Sequence, residues 1–232
     1  MNDDQLSIFD ERLWKIKIYD TYNAYKSIET FLALHSDSEA LEEEVESLEK
    51  LFDLQSNQMV VLFCTYTEVM IKDFLYTIYH ENPNEIEKHL SDEFLHEFKE
   101  ARSKKSLDQE LIEKFANIAA KKSFKSSNIE KTFNIICNLV YKKDPMTCKK
   151  DFEKTKENLI KIFKIRNLLV HQDKESKTSA KNIIDILYLK IALNFIDKLN
   201  EFCDVLNLNS VKETKQKRQE EAERLLTNIF LL

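Results

Sequence analysis

Apolar residues recur along the chain at spacings of three and four positions, with no sustained alternation of apolar and polar residues. This is the period of an α-helix with one buried face, whereas a half-buried strand alternates. Breaks in the pattern coincide with polar or proline-containing segments typical of helix ends, such as Asn82-Pro83-Asn84 and Ser126-Ser127-Asn128. The pattern predicts helices at 5–35, 37–54, 57–80, 84–103, 107–122, 127–141, 149–171, 179–207 and 211–230.

Composition narrows the fold class to an all-α helical bundle. The 232 residues include no glycine and only two prolines, so the residues that form positive-φ turns and strand bulges are nearly missing. With 43% hydrophobic residues the chain can build a core. No glycine- or serine-rich linker divides it, and we expect a single domain over residues 1–232. P-loops, Rossmann fingerprints and Gly-x-Ser-x-Gly elbows require glycine, so these enzyme classes are excluded.

The cysteines and the hydropathy of the chain bear on its compartment. The cysteines lie far apart in sequence and form no Cys-x-x-Cys motif, so we expect reduced thiols in the core. No run approaches the ~20 apolar residues that a membrane span needs, and no basic start precedes an apolar segment. We therefore expect a cytoplasmic protein that does not contact a membrane. The four cysteines are Cys64, Cys137, Cys148 and Cys203.

The histidines suggest one candidate metal site. His89 and His96 are seven residues apart on one predicted helix, with Glu93 between them. Two histidines do not complete a structural metal site, and the other histidines lie on other segments. We assign neither a metal nor a cofactor to the chain.

Charge is distributed unevenly along the chain, whose net charge is −6. Between Ser36 and Gln58 there are eight acidic residues and one lysine. Between Lys142 and Lys190 there are thirteen Lys or Arg against seven Asp or Glu, a local excess of six positive charges. Such a local field attracts phosphate groups even on an acidic protein, although a solvated lysine-rich surface would have the same composition.

The predicted helix 149–171 carries an arginine on its apolar face. On a helical wheel Arg166 lies at the centre of this face. A guanidinium stays charged and is costly to bury without a partner, so we expect a carboxylate, a phosphate or both beside it. The apolar members of the face are Leu159, Ile162, Phe163, Leu169 and Val170.

Three further residues are candidates for the same site. Asn167 and His171 are four residues apart and therefore lie along one edge of the helix, beside Arg166. His171 precedes a polar segment, and we expect its imidazole to be accessible. On the predicted helix 57–80, Glu68 is a charge among apolar residues, and we hypothesise that it pairs with Arg166 or lies in the same cleft. A partly exposed glutamate at a helix crossing is the alternative.

The segment Arg166-Asn-x-x-x-His171 resembles the Arg-polar-x3-to-5-His signature of the HEPN superfamily, which lies near the end of a long helix. The similarity extends over Phe152 to Cys203 and more loosely over Met59 to Tyr79, where Cys-Thr-Tyr-Thr-Glu68 resembles an Ala-x-x-Glu helix. The resemblance implies a HEPN-like bundle with additional helices, whose motif-bearing core is roughly 57–80 and 149–207.

The resemblance also implies an activity. Catalytic HEPN proteins pair so that two motifs face one cleft, and they cut RNA without a metal to leave a 2′,3′-cyclic phosphate. The resemblance thus implies a homodimeric, metal-independent endoribonuclease acting on RNA. Stand-alone members resemble prokaryotic toxins and phage-defence effectors, which implies an antitoxin or a defence-system protein as partner. Some toxin members carry a Tyr two residues after the His as a target of adenylylation, and Asp173 stands there in this chain.

The chemistry of RNA cleavage suits the same residues. Attack by the 2′-OH needs a base, an acid for the leaving 5′-oxygen, and donors for the charge on phosphorus. His171 would transfer protons, Arg166 would hold the phosphate, and Asn167 would orient the phosphate or the histidine. The alternative is a non-catalytic helical dimerisation, interaction or RNA-binding module, in which Arg166 and His171 organise a dimer seam or anchor a ligand.

Overall fold

A computed structural model of the protein describes residues 6–36, 42–144, 151–171 and 189–230. Within these ranges it contains helices and their connections and no strand, which confirms the all-α class. None of the described helices is long and apolar enough to cross a membrane. The helices are α1 (Glu11–Ser36), α2 (Glu42–Glu81), α3 (Pro83–Ile86), α4 (Asp92–Ser103), α5 (Gln109–Ser123), α6 (Ile129–Tyr141), α7 (Asp151–His171), α8 (Leu189–Leu206) and α9 (Asn209–Phe230).

The predicted break between helices 37–54 and 57–80 is wrong, because α2 runs through it without interruption. The polar residues at this point include Ser56, whose side chain is fully buried. Its hydroxyl lies 3.4 Å from the hydroxyl of Tyr25 on α1, so a buried polar group gains a partner without leaving the helix. Residues 37–41 of the first predicted helix lie outside the described residues.

The predicted helix 84–103 is also wrong as a single element. It divides into α3, a short 3₁₀ turn (Glu87–His89) and α4. Leu90 and Ser91 between them have extended backbones, with ψ angles of 158° and 163°. The side chain of Leu90 is buried at this break. We infer that burying this apolar side chain stabilises the chain more than continuing the helical hydrogen bonds would. Of the predicted helix 179–207, residues 179–188 lie outside the described part of the chain.

Helix ends follow the local sequence signals. Pro83 occupies the first turn of α3, where its missing N–H is not needed. The side chain of Asn128 accepts a hydrogen bond of 3.1 Å from the backbone N–H of Lys131 at the start of α6. Without glycine, the chain places Lys105 and Asn207 in the left-handed region, with φ of 53° and 58°, just after α4 and α8.

The chain divides into two compact units, each built from segments that are distant in sequence. We call residues 11–36, 42–68, 151–171 and 189–198 unit A, and residues 6–10, 69–144 and 199–230 unit B. The helix α2 contributes its first part to unit A and its last part to unit B. The expectation of one domain over 1–232 stays a prediction, because one continuous helix belongs to both units.

Aromatic side chains form the core of each unit. In unit B the ring of Phe74 lies 5.8 Å from that of Phe9 and 6.5 Å from that of Phe202, between centroids. In unit A the rings of Phe152 on α7 and Phe195 on α8 stack with centroids 6.4 Å apart. This contact sets α7 against α8, and α7 carries the candidate motif.

Unit B offers a test of this packing at Thr77. The Thr77 hydroxyl is buried, accepts a hydrogen bond of 2.8 Å from the backbone N–H of Phe9, and donates one to the carbonyl of Asp73. Thr77→Val keeps the shape but leaves the Phe9 N–H without its partner. We expect the free energy of unfolding to fall by about 1–3 kcal/mol in urea titrations. Thr65→Val, at an exposed helical threonine, is the matched control and should change it by less than about 0.5 kcal/mol.

Candidate functional site

The helix α7 buries one stripe of side chains, and Arg166 continues this stripe. The side chains of Phe152, Leu159 and Phe163 are at most 2% exposed. Arg166, one turn after Phe163, is half-buried. The predicted position of Arg166 on the apolar side of the helix is therefore consistent with its burial. The expectation that Val170 belongs to the buried face is wrong, since its side chain is 48% exposed. The buried stripe therefore does not extend to Val170, in the last turn of α7.

Arg166 and Asn167 are joined by a hydrogen bond. Nη1 of Arg166 donates to Oδ1 of Asn167 over 3.0 Å. A guanidinium has donors and no acceptor, so the amide must turn its oxygen toward it. The Nδ2 donors of Asn167 are then available in other directions. The pair can present two kinds of donor, a charged planar fork and a neutral amide, to the oxygens of an anion.

Glu68 of α2 lies near the same part of unit A. Burial raises the pKa of the Cys64 thiol to about 12, while the charge of Arg166 lowers it and that of Glu68 raises it. Both charges therefore lie close enough to one buried sulfur to act on it. Glu68 is half-buried, as expected for a charge on an apolar helix face. A direct ion pair between Glu68 and Arg166 stays a prediction.

Cys64 is a member of this neighbourhood that the sequence did not single out as a site residue. Its side chain is 1% exposed, and its raised pKa keeps the thiol protonated at neutral pH, so it is a poor nucleophile. The spacing of four residues between Cys64 and Glu68 was the available signal, because it places both on one face of α2. Cys64 packs beside the charged residues rather than acting as a reactive group.

His171 is the last residue of α7, and its side chain lies outside the described part of the structure. Asp173 and the polar segment that follows also lie outside it. The positions of Arg166 and Asn167 thus come from the structure, while the convergence of the imidazole on them stays a prediction from their spacing.

The histidines considered as metal ligands lie in different local structures. His89 ends the 3₁₀ turn and His96 lies on α4, so the helix that they were expected to share is interrupted. The His89 ring lies 5.1 Å from that of Tyr79, between centroids, and burial lowers its pKa. Across the described ranges, no three His, Cys, Asp or Glu side chains are grouped as metal ligands would be. His89 is therefore a half-buried residue that packs against Tyr79, and its lowered pKa favours the neutral imidazole.

Comparison of the chain with protein-family models, with curated proteins and with solved structures found no match.

The burial of Arg166 leads to a prediction about stability. Removing one partner of a buried ion pair costs about 3–5 kcal/mol, whereas removing a charge that is bonded to a neutral amide leaves no buried charge unpaired. Arg166 is half-buried and donates to the amide oxygen of Asn167, so we expect its guanidinium to contribute little to folding. We expect Arg166→Met to leave the free energy of unfolding within about 1 kcal/mol of wild type or to raise it. Leu159→Ala, in the fully buried part of the stripe, should lower it by about 2–5 kcal/mol.

Urea titration of both variants measures this difference. A loss of more than about 2 kcal/mol in Arg166→Met would show that the guanidinium holds the fold together, and would remove the main reason for assigning it to a site.

Proposed function

We propose that the protein is a metal-independent endoribonuclease of the HEPN type, with Arg166, Asn167 and His171 as its catalytic residues and Glu68 in a supporting position. The observation that carries the proposal is the half-buried Arg166, whose guanidinium is bonded to Asn167 over 3.0 Å in the last turns of α7. A fixed, planar cation beside an amide suits the non-bridging oxygens of a phosphodiester.

The proposed reaction is an internal transfer at phosphorus. A base removes the proton of the 2′-OH, the 2′-oxygen bonds to phosphorus, and the bond from phosphorus to the 5′-oxygen breaks. An acid returns a proton to that 5′-oxygen, which leaves a 2′,3′-cyclic phosphate and a 5′-hydroxyl end. His171 of each of two copies would serve as base and acid. Arg166 would stabilise the charge on the non-bridging oxygens, and the amide of Asn167 would orient the phosphate.

A homodimer is part of the proposal. Leu168 and Val170, between Asn167 and His171 in the motif, are 46% and 48% exposed, which leaves apolar surface at the site. Pairing of two copies through this end of α7 would cover that surface and bring two motifs to one cleft. On the resemblance to stand-alone HEPN proteins, we extend the proposal to a toxin or phage-defence effector that is restrained by an antitoxin or another defence-system protein.

The second candidate is a non-catalytic module for dimerisation or RNA binding. The same exposed Leu168 and Val170 favour it, because an apolar seam beside an Arg–Asn pair could hold two copies together without any chemistry. The two candidates differ in whether RNA is cut and in the ends that cutting leaves.

The test is cleavage of RNA by the full chain. We expect wild type to cut RNA in the presence of EDTA, to leave 2′,3′-cyclic phosphate ends, and to spare the same strand made with 2′-deoxy sugars. Arg166→Ala and His171→Ala should each slow cleavage by about 100-fold or more. Arg12→Ala and His96→Ala change exposed residues of the same types, and they should cut like wild type.

The outcomes separate the candidates. Cleavage that EDTA abolishes, or that leaves 3′-hydroxyl ends, would contradict the proposed mechanism. Intact RNA with wild type and all four variants, together with a dimeric native mass, would favour the non-catalytic module. Equal cleavage by wild type and Arg166→Ala would show that the activity does not belong to this site.

A further inference from the structure

A pocket of about 410 Å³ opens between α7 and α8 in unit A, away from the motif at the end of α7. Its volume lies in the range of sites that bind small molecules or parts of larger ones. Two of its lining residues, Thr155 and Ile191, are buried and form its deeper part. The remaining polar and basic lining residues include Lys154, Asn158, Lys190, Asn194 and Lys198.

The lysines and asparagines of the pocket are arranged in register on two helices. Lys190, Asn194 and Lys198 follow one another at four-residue intervals and so share a face of α8. Lys154 and Asn158 have the same spacing on α7. Three ammonium groups and two amides therefore border one pocket, and both helices contribute donors to it.

One carboxylate also lines the pocket, and it is already bonded to a cation. Asp197 forms an ion pair with Lys15 of α1, also in unit A, with 2.6 Å between Oδ1 and Nζ. The same ammonium lies 2.6 Å from Glu11, so it compensates the charge of Asp197 only in part. Three lysines against one carboxylate still give the lining residues a formal excess of two positive charges, in a protein whose net charge is −6.

We propose that this pocket binds phosphate groups of a single-stranded RNA, at a position separate from the Arg166 motif. The identification of the strand as RNA rests on the proposed function, whereas phosphate as the ligand chemistry rests on the pocket alone. Lysines bind phosphate as point charges, and the asparagine amides donate to the remaining oxygens. A pocket bordered by donors from two helices can contact a phosphate group on more than one side, which a flat basic surface cannot.

The position of the pocket along α7 relates it to the motif. Asn158 and Arg166 are eight residues apart on one helix, which corresponds to about 12 Å along its axis. A strand stacked at ~3.4 Å per nucleotide covers this distance in roughly four nucleotides. Around the helix axis Arg166 is turned by about 80° from Asn158, which places the two on neighbouring faces of α7. A strand held in the pocket would thus extend toward the proposed scissile phosphate.

The test measures binding separately from cleavage. A fluorescently labelled single-stranded DNA of 12 nucleotides serves as the probe, since it carries the phosphates but lacks the 2′-OH and is not cut. The test variant is the double substitution Lys154→Gln and Lys190→Gln, and the matched control is Lys99→Gln and Lys217→Gln, which removes two exposed lysines outside the pocket. Both pairs change the net charge equally, and urea titration verifies that both fold.

We expect the pocket variant to bind the probe roughly tenfold more weakly than the control variant at physiological salt. The slope of log affinity against log salt should fall by about 1.4, since about 0.7 is lost for each phosphate contact on a single strand. With RNA as substrate, the loss should appear in KM, because the pocket holds the strand away from the reacting atoms.

The proposal fails if the pocket variant and the control variant bind the probe within twofold of each other. It also fails if ATP or inorganic pyrophosphate binds the wild-type pocket more tightly than the strand does, which would assign the pocket to a free nucleotide or polyphosphate. If wild type binds the probe through the pocket but cuts no RNA, the proposed nuclease function fails and the phosphate site stands.

Discussion

The packing of α7 against α8 is the contact on which both proposed sites depend. The stacked rings of Phe152 and Phe195 and the buried Leu159 and Phe163 fix the rotation of α7 about its own axis. With that rotation set, Arg166 continues the buried stripe and Lys154 borders the pocket with α8. A rotation by one residue, about 100°, would turn the buried stripe away from its contact with α8 and disrupt both arrangements.

A second constraint is electrostatic, since charges near the interior of unit A must be balanced locally. Arg166 has the amide oxygen of Asn167 as an acceptor. Its charge lowers the pKa of Cys64, and the charge of Glu68 raises it. Charges of opposite sign thus act on one buried thiol, and a planar cation lies at the end of the apolar stripe. An anionic ligand at Arg166 would find a donor set that is already oriented.

Part of the fold and of the candidate site could be predicted from the sequence, and part could not. The helical class, the Asn128 cap and the burial of Arg166 on α7 all follow from spacing and residue type within one segment. The continuity of α2 through Ser56 could not be predicted, because it depends on a partner on another helix. The break at Leu90 and the pocket depend likewise on contacts between segments, and the side chain of His171 lies outside the described residues.

The lack of glycine determines how such a chain can recognise phosphate. Proteins often bind phosphate with backbone N–H groups in glycine-rich turns, where a Cβ would block the close approach. Here glycine-rich turns are not available, and on the proposed function the phosphate contacts come from Arg, Lys and Asn side chains on helix faces. Contacts to phosphate oxygens position a strand but carry no information about its bases. On the proposed function, the affinity would therefore depend steeply on salt, and the choice of cleavage site would come from the cleft around Arg166.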